Sequence, residues 1–188
     1  ESKPKNLTTA QKKQVFANAS GWVLEAGSAL SGNDNTDADP EILVAIGELS
    51  TSIGAADITE VEMVTTTADK SEGFTISVRV RYNEPVDVVT TGGTPTLAVT
   101  NGNEGTGTGR GPHTLSYASG TGTNELIFSL AIAAANAATN ADDVLTVGAQ
   151  TIALNSGTIK DASGTASDAA LVISGAVGTA AGSVTVTA

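Results

Sequence analysis

The sequence predicts a mainly β protein, an antiparallel β-sandwich preceded by a short N-terminal helical segment. From about residue 58 onward, apolar and polar residues alternate with a period of two, which is the period of a half-buried strand. Glycine-rich stretches separate these runs, and glycine accounts for 21 of the 188 residues. Between residues 7 and about 55, apolar residues instead recur at steps of three and four, as on one face of a helix.

The N-terminal segment, residues 1–57, is predicted to hold two short helices. Thr8 or Thr9 can cap the first helix, and Asp39-Pro40 is a suitable start for the second. The predicted apolar faces comprise Val15, Ala19, Trp22, Ala26 and Ala29 in the first helix, and Ile42, Leu43, Ile46, Leu49 and Ile53 in the second. Two helices this short need another surface to cover them, so we expect them to pack on the sandwich or on another molecule.

Residues 58–188 are predicted to form the sandwich. In the run FTISVRVRY, one face carries Phe74, Ile76, Val78, Val80 and Tyr82, and a second, water-facing side carries Thr75, Ser77, Arg79 and Arg81. Further strands are predicted at EVEMVTTT, PTLAVT, HTLSYAS, NELIFSLAIA, DVLTV, QTIALN, ALVIS and SVTVTA. Hairpin connections are predicted at NGNEGTGTGRGP and SGTGTN. Because aromatic residues make up only 3% of the chain, the core is expected to consist of Val, Ile, Leu and Ala.

Three stretches in this order carry a resemblance: ISVRVRYNEPVDVVTTGGTPTLAV, LSYASGTGTNELIFSLAI and LNSGTIKDASGTASDAALVI. They are similar to the bacterial immunoglobulin-like repeat of large cell-surface and adhesion proteins, notably of cyanobacteria, over roughly residues 72–175. The resemblance implies an Ig-like β-sandwich, a fold that serves many functions. A single copy fused to an N-terminal segment also resembles the architecture of tailed-phage capsid decoration proteins.

Composition limits the classes of partner. The formal net charge is −11, and a phosphate backbone would be repelled, so no nucleic-acid partner is expected. Cysteine is absent, which removes disulfides, thiolate metal ligands and a cysteine nucleophile. No run approaches the roughly 18 apolar residues of a membrane span, so no membrane partner is expected.

Candidate catalytic, cofactor and metal residues are few, and we expect no enzymatic activity and no cofactor. His113 is the only histidine, and no partner for acid–base catalysis is recognisable at a fixed spacing. The run GTGTGRG lacks the Lys-Ser/Thr of a phosphate-binding loop, which favours a hairpin tip with Arg110 open to an acidic partner. Acidic residues that could hold calcium occur at Asp34, Asp37, Asp39 and Glu41, and at Asp142 and Asp143 with Asp161 or Asp168. The alternative for these acids is solvated turns and a helix cap.

The N-terminal segment is the predicted docking element. Its basic arm and apolar faces provide the predicted partner-binding residues, which are Lys5, Lys12, Lys13, Trp22, Leu24, Ile42, Ile46 and Leu49. For Trp22, the only tryptophan, two alternatives stay open: burial against its own sandwich, or insertion into a groove of a partner.

These observations together favour a non-enzymatic virion structural protein. In this interpretation a capsid decoration or cement protein displays an Ig-like domain on the capsid surface and docks through its N-terminal helices. The expected partners are capsid or other virion proteins and further copies of the chain in a homo-oligomer. The alternative is a secreted or cell-surface adhesion or spacer module that binds calcium or carbohydrate.

Overall fold

The computed structural model describes residues 6–18, 20–46, 55–102, 112–136, 138–162 and 167–188. Strands contain 50% of these residues and helices 6%, so the mainly β prediction is confirmed. The helices within these residues are α1 (Thr9–Lys12) and α2 (Gly175–Ala180). The strands are β1 (Val15–Asn18), β2 (Gly21–Leu24), β3 (Glu41–Ala45), β4 (Ile58–Met63), β5 (Ala68–Asp69), β6 (Phe74–Val89), β7 (Thr96–Gly102), β8 (His113–Ser119), β9 (Thr123–Ile132), β10 (Val144–Thr146), β11 (Gln150–Thr151), β12 (Thr158–Asp161), β13 (Val172–Ile173) and β14 (Ser183–Thr187).

Within the described residues the prediction of two N-terminal helices is wrong, because most of the predicted helical stretches form strands. The end of the second predicted helix, with Leu49 and Ile53, lies outside the described residues. Thr8 does cap α1, where its hydroxyl accepts from the Gln11 N–H, but this helix has one turn. Strands β1, β2 and β3 follow and form a three-stranded antiparallel sheet, here called the N-terminal sheet. Gly21 explains the difference, because its φ of 128° is incompatible with a helix. A Cβ at Gly21 would lie 2.0 Å from the Val44 carbonyl oxygen, so glycine lets β3 approach β2.

The other large unit, here called the main sheet, has nine strands in the order β12-β6-β9-β8-β7-β10-β14-β5, with β4 paired to β6. Two long strands curl it into a sandwich-like form. The first half of β6 pairs with β4 and β9, and its end pairs with β12. Likewise, β7 pairs first with β8 and then with β10. All these pairings are antiparallel, and β14 with β5 is parallel.

Among the described residues, the main sheet encloses the larger of two apolar cores. The predicted aliphatic character of that core is confirmed. Its fully buried large side chains are Tyr82, Phe128, Ile76, Leu97, Leu115, Leu126, Leu145, Ile152, Ile159 and Ile173. Only the first two are aromatic. The predicted inward face of β6 is also confirmed, since Ile76, Val78 and Val80 are completely buried.

The opposite face of β6 departs from the prediction of a water-facing side. Arg81 is only 3% exposed. Strand β1 contacts β6, and carboxylates from the N-terminal segment and from neighbouring strands surround the guanidinium, as described below. The N-terminal segment therefore covers part of the main sheet. No helix within the described ranges has the length and hydrophobicity needed to cross a membrane.

The connections between strands agree with the glycine-rich turns where they are described. Gly120 and Gly122, between β8 and β9, have φ values of 112° and 79°, which glycine adopts without strain. The other predicted hairpin tip, including Arg110, lies outside the described residues. Helix α2 was not expected from the sequence; Ser174 caps it by accepting from the Val177 N–H at 3.3 Å.

Candidate functional site

The N-terminal sheet has its own small core. Val15 and Ala17 of β1 lie opposite Leu24 and Trp22 of β2, and these four side chains form one buried cluster, with Leu7 packed against it. Alternation along β2 directs Trp22 and Leu24 to the same face. Trp22 is 6% exposed and Leu24 is 2% exposed. This sheet therefore folds around the only tryptophan of the chain.

A set of charged side chains, here called the ion cluster, joins the N-terminal segment to the main sheet. Its members are Lys13, Glu25, Glu60, Glu62, Arg79, Arg81 and Glu125. The sheet register explains why they meet, since Arg81 lies opposite Glu60 of β4 on one side and Glu125 of β9 on the other. Opposite charges in such cross-strand positions attract one another.

Arg81 is the centre of the ion cluster. Its Nη1 atom is 3.2 Å from Glu60 Oε2, and its Nε donates to Glu125 Oε1 at 2.7 Å. Its Nη2 atom reaches both oxygens of Glu25, at 3.1 and 3.2 Å, and also contacts Glu125. Because Glu25 directly follows β2, this contact fastens the N-terminal sheet to β6.

Two further cations, Lys13 and Arg79, belong to the ion cluster. Lys13 Nζ lies 3.3 Å from Glu60 Oε1, which adds a second link from the N-terminal segment. Arg79 Nη2 is 2.5 Å from Glu62 Oε2. Burial raises the pKa of Glu62, but the hydrogen bond and charge of Arg79, together with Lys13 and Arg81, outweigh it and lower that pKa overall. These cations therefore favour the charged form of Glu62.

A cleft of about 470 Å³ lies beside this contact, between α1, β4 and α2. Its apolar side includes Val61, Val177 and Ala180, and its polar side includes Lys12 and Lys13. The Lys13 ammonium is already engaged with Glu60. The cleft marks where the N-terminal segment meets the main sheet.

Strand β3 differs from every neighbouring element in exposure. All five of its residues are exposed, although three consecutive ones are large and apolar. Ile42 is 57% exposed, and Leu43 and Val44 are each 43% exposed. Ile46 and Leu30 of the same segment are exposed as well. Soluble proteins rarely leave contiguous apolar residues uncovered unless they form an interaction site.

Comparison with known protein families, curated proteins and solved structures finds no match. The function must therefore be argued from the geometry of this chain.

The predicted partner-binding residues fall into three groups. Trp22 and Leu24 are buried within the chain, on β2 rather than on a helix. Ile42 and Ile46 are exposed, and so are Lys12 and Lys13 beside the cleft. Lys5 and Leu49 lie outside the described residues. Sequence reasoning placed Leu43 on a helix face but did not select it or Val44 as partner-binding, because only the strand conformation exposes both faces of β3.

The single histidine is an interior residue. His113 is 7% exposed, and its Nε2 atom lies 3.2 Å from the hydroxyl of Thr139, which is completely buried. Burial lowers the pKa of His113. The ring therefore packs as a neutral imidazole against a hydroxyl rather than against a carboxylate.

The acidic residues considered for calcium are dispersed. The Asp143 carboxylate accepts from the Asn140 N–H at 2.8 Å, and Asp168 is 3.0 Å from Lys160 Nζ. Across the described part of the chain, no group of three or more side chains is arranged to hold a metal ion. Asp168 is exposed, as the alternative of solvated turns expects, whereas Asp143 is completely buried and departs from it.

Proposed function

We propose that the protein is a non-enzymatic structural protein of a virion, a capsid decoration or cement protein that displays an Ig-like β-sandwich. The observation that carries the proposal is the exposed apolar strand β3. It belongs to a small sheet that is fastened to the main sheet by partly buried charges centred on Arg81. This arrangement suits an attachment element, because the exposed strand β3 is held in a fixed position on the displayed main sheet.

The Ig-like assignment is part of this proposal. It is supported by the resemblance over residues 72–175 and by the mainly β, sandwich-like form of the main sheet. The order of the quoted stretches follows strands β6 to β13, and the stretch GTIKD coincides with β12. The non-enzymatic character is supported by the use of His113 as a packing residue.

The attachment would work through burial of apolar surface. Each square ångström of apolar surface removed from water contributes about 25 cal/mol, so covering Ile42, Leu43 and Val44 provides the driving force. Subunits joined in this way stiffen a shell by adding buried area between its parts.

The test is co-sedimentation with assembled tailed-phage capsids that lack their decoration protein. Wild type is expected to sediment with a cognate capsid and to raise the temperature at which it breaks open. The double variant Ile42→Lys/Val44→Lys is expected to lose both effects. Val172→Lys is the matched control, because Val172 is 66% exposed and lies on β13, outside the N-terminal sheet.

If the double variant co-sediments as well as the wild type, β3 is not the attachment surface. If wild type associates with no capsid in a broad panel, the virion assignment is overturned and the alternative below takes its place.

The second candidate is a bacterial cell-surface adhesion or spacer module, possessing the same Ig-like sandwich. The observation that favours it is the sequence resemblance itself, since that repeat belongs to surface and adhesion proteins. Calcium commonly stabilises such modules, so a rise in thermal midpoint on adding calcium, reversed by chelator, would favour this candidate. The virion proposal expects no such shift.

A further inference from the structure

One contact in the main sheet brings a lysine amine against an asparagine side chain. The Nζ atom of Lys70 lies 3.3 Å from Oδ1 of Asn140. The two residues are 70 positions apart in the chain, and both are half-buried. A neutral amine is a nucleophile and the carbon of a carboxamide is an electrophile. The pair can therefore be joined by a new amide bond.

Strand β14 holds both of these residues in place. The Lys70 N–H donates to the Thr187 carbonyl at 3.0 Å, and the Asp142 N–H donates to the Val186 carbonyl at 2.8 Å. Lys70 and the turn that contains Asn140 are therefore fixed by adjacent residues of one strand. Because main-chain hydrogen bonds hold the backbone on both sides, only the side chains need to move for the two groups to react.

The separation of the two groups is close to that of reacting atoms. A C=O bond is about 1.2 Å long, so Nζ of Lys70 lies within about 4.5 Å of Cγ of Asn140. Reacting atoms in productive complexes are about 3–3.5 Å apart, so the remaining gap is about 1 Å. Rotation near the end of the flexible lysine stem can close a gap of this size.

A buried carboxylate lies beside the pair. Asp143 is completely buried, and its Oδ2 atom accepts from the backbone N–H of Asn140 at 2.8 Å. This hydrogen bond holds the carboxylate next to Asn140 rather than in solvent. A carboxylate held in this way can take a proton from one group and return it to another.

We propose that Lys70 and Asn140 form an intramolecular isopeptide bond, with Asp143 as the proton carrier. A bond forms between Nζ of Lys70 and Cγ of Asn140, and the bond between Cγ and Nδ2 breaks. Of the three protons on the lysine ammonium, one stays on the new amide, and two pass through the Asp143 carboxylate to Nδ2, which leaves as ammonium. The positive charge of the lysine leaves with it, and the step consumes no oxidant, reductant or other co-reactant.

The new bond would close one end of the main sheet covalently. It joins the turn after β5 to the loop between β9 and β10, so the segment between Lys70 and Asn140 becomes a covalent loop. A cross-link across a long loop restricts the unfolded chain and stabilises the fold. The inference goes beyond the proposed function and does not depend on it, because it concerns the main sheet rather than β3.

Intact mass spectrometry of the purified full chain measures the reaction. The wild type is expected to weigh less than its sequence by one ammonia, and digestion is expected to give a branched peptide that joins Lys70 to Asn140. The branched peptide is required because cyclisation at Asn101-Gly102 would lose the same mass without joining two segments. A wild type that keeps its full mass after long incubation at neutral pH, or that loses ammonia without a branched peptide, overturns the proposal.

Three variants separate the roles of the residues. Lys70→Arg removes the nucleophile, so it is expected to keep its full mass and to unfold about 10 °C below wild type. Asp143→Asn still offers an acceptor to the Asn140 N–H but cannot carry the protons, so it is expected to keep its full mass while its circular dichroism stays that of the wild type. Lys160→Arg is the matched control and should lose ammonia like wild type, because the Lys160 ammonium pairs with Asp168 at 3.0 Å.

Cross-linking in a folded Asp143→Asn protein would overturn the proton-carrying role of that carboxylate. If a variant fails to fold, the mass and the branched peptide of the wild type decide the proposal by themselves.

Discussion

Replacing Arg81 with methionine is expected to destabilise the protein by about 3 kcal/mol and to loosen the N-terminal sheet first. Methionine keeps most of the aliphatic volume of the arginine stem and removes its charge. Three carboxylates, those of Glu25, Glu60 and Glu125, would lose the guanidinium that joins them. Removing one partner of a buried ion pair leaves the other charge without compensation, which costs about 3–5 kcal/mol.

Two structural facts place the expected value at the lower end of that range. The side chains of Glu25 and Glu125 are 33% and 27% exposed, so water solvates them in part. Other cations also stay close, with Lys13 3.3 Å from Glu60 and Arg79 3.4 Å from Glu125. The Glu60 side chain is only 12% exposed and is expected to account for much of the loss.

Urea unfolding followed with two probes measures this effect. Far-ultraviolet circular dichroism reports the strands as a whole, and the fluorescence of Trp22 reports the N-terminal sheet. Arg81→Met is expected to shift the Trp22 transition further than the dichroism transition, because Glu25 fastens that sheet to β6 through Arg81. The separation of the two transitions is the signature of a loosened contact.

Glu62→Gln is the matched control. Glu62 belongs to the same ion cluster, but its side chain is 41% exposed and it contacts Arg79 rather than Arg81. An exposed pair contributes only about 0–1 kcal/mol. If Arg81→Met costs less than about 1 kcal/mol, or no more than Glu62→Gln, the buried cluster does not hold the two sheets together and the reasoning is wrong.

Two further predictions concern the main sheet. Gly93→Ala is expected to lower the free energy of unfolding in urea by at least ~2 kcal/mol, because a Cβ there would lie 1.7 Å from the Asn155 carbonyl oxygen. Gly175→Ala is the control and should be close to neutral, because a Cβ there meets nothing within 4 Å. Equal effects of the two substitutions would refute the close contact at Gly93. His113 is buried beside Thr139 with a lowered pKa, so the unfolded state takes up its proton first and stability is lost as the pH falls through about 6.5. Between pH values of about 7.5 and 5.5, wild type should lose more stability than His113→Gln, and parallel losses would contradict this assignment.

Alternation and turn chemistry made the main sheet predictable. Residues 74–82 alternate strictly, and a shift by one residue would put every apolar side chain in water. The side chains of Ile76, Val78 and Val80 are accordingly all buried. Glycine-rich turns marked where the strands end, and the shortage of aromatic residues determined a mostly aliphatic core. These signals are local, and each can be recognised in the sequence without knowing which strand lies opposite.

The N-terminal segment lacked such a signal. Val15, Trp22 and Ala26 match the spacing of a helix face, but short apolar runs do not distinguish helix from strand. The strand conformation was decided by partners, since β1 pairs with β2 and β2 with β3. Gly21 permitted this arrangement through its positive φ.

The sequence alone determined that this is a mainly β chain with an aliphatic core, a single histidine and a strongly acidic surface. Only the tertiary structure decided that Arg81 is buried and that β3 is exposed. The physical reason is distance along the chain: Glu25 and Arg81 are 56 residues apart, and no local pattern encodes such a contact. The exposure of a residue depends on which other parts of the chain pack against it. For Arg81 and β3, the packing of the N-terminal sheet on the main sheet determines that exposure.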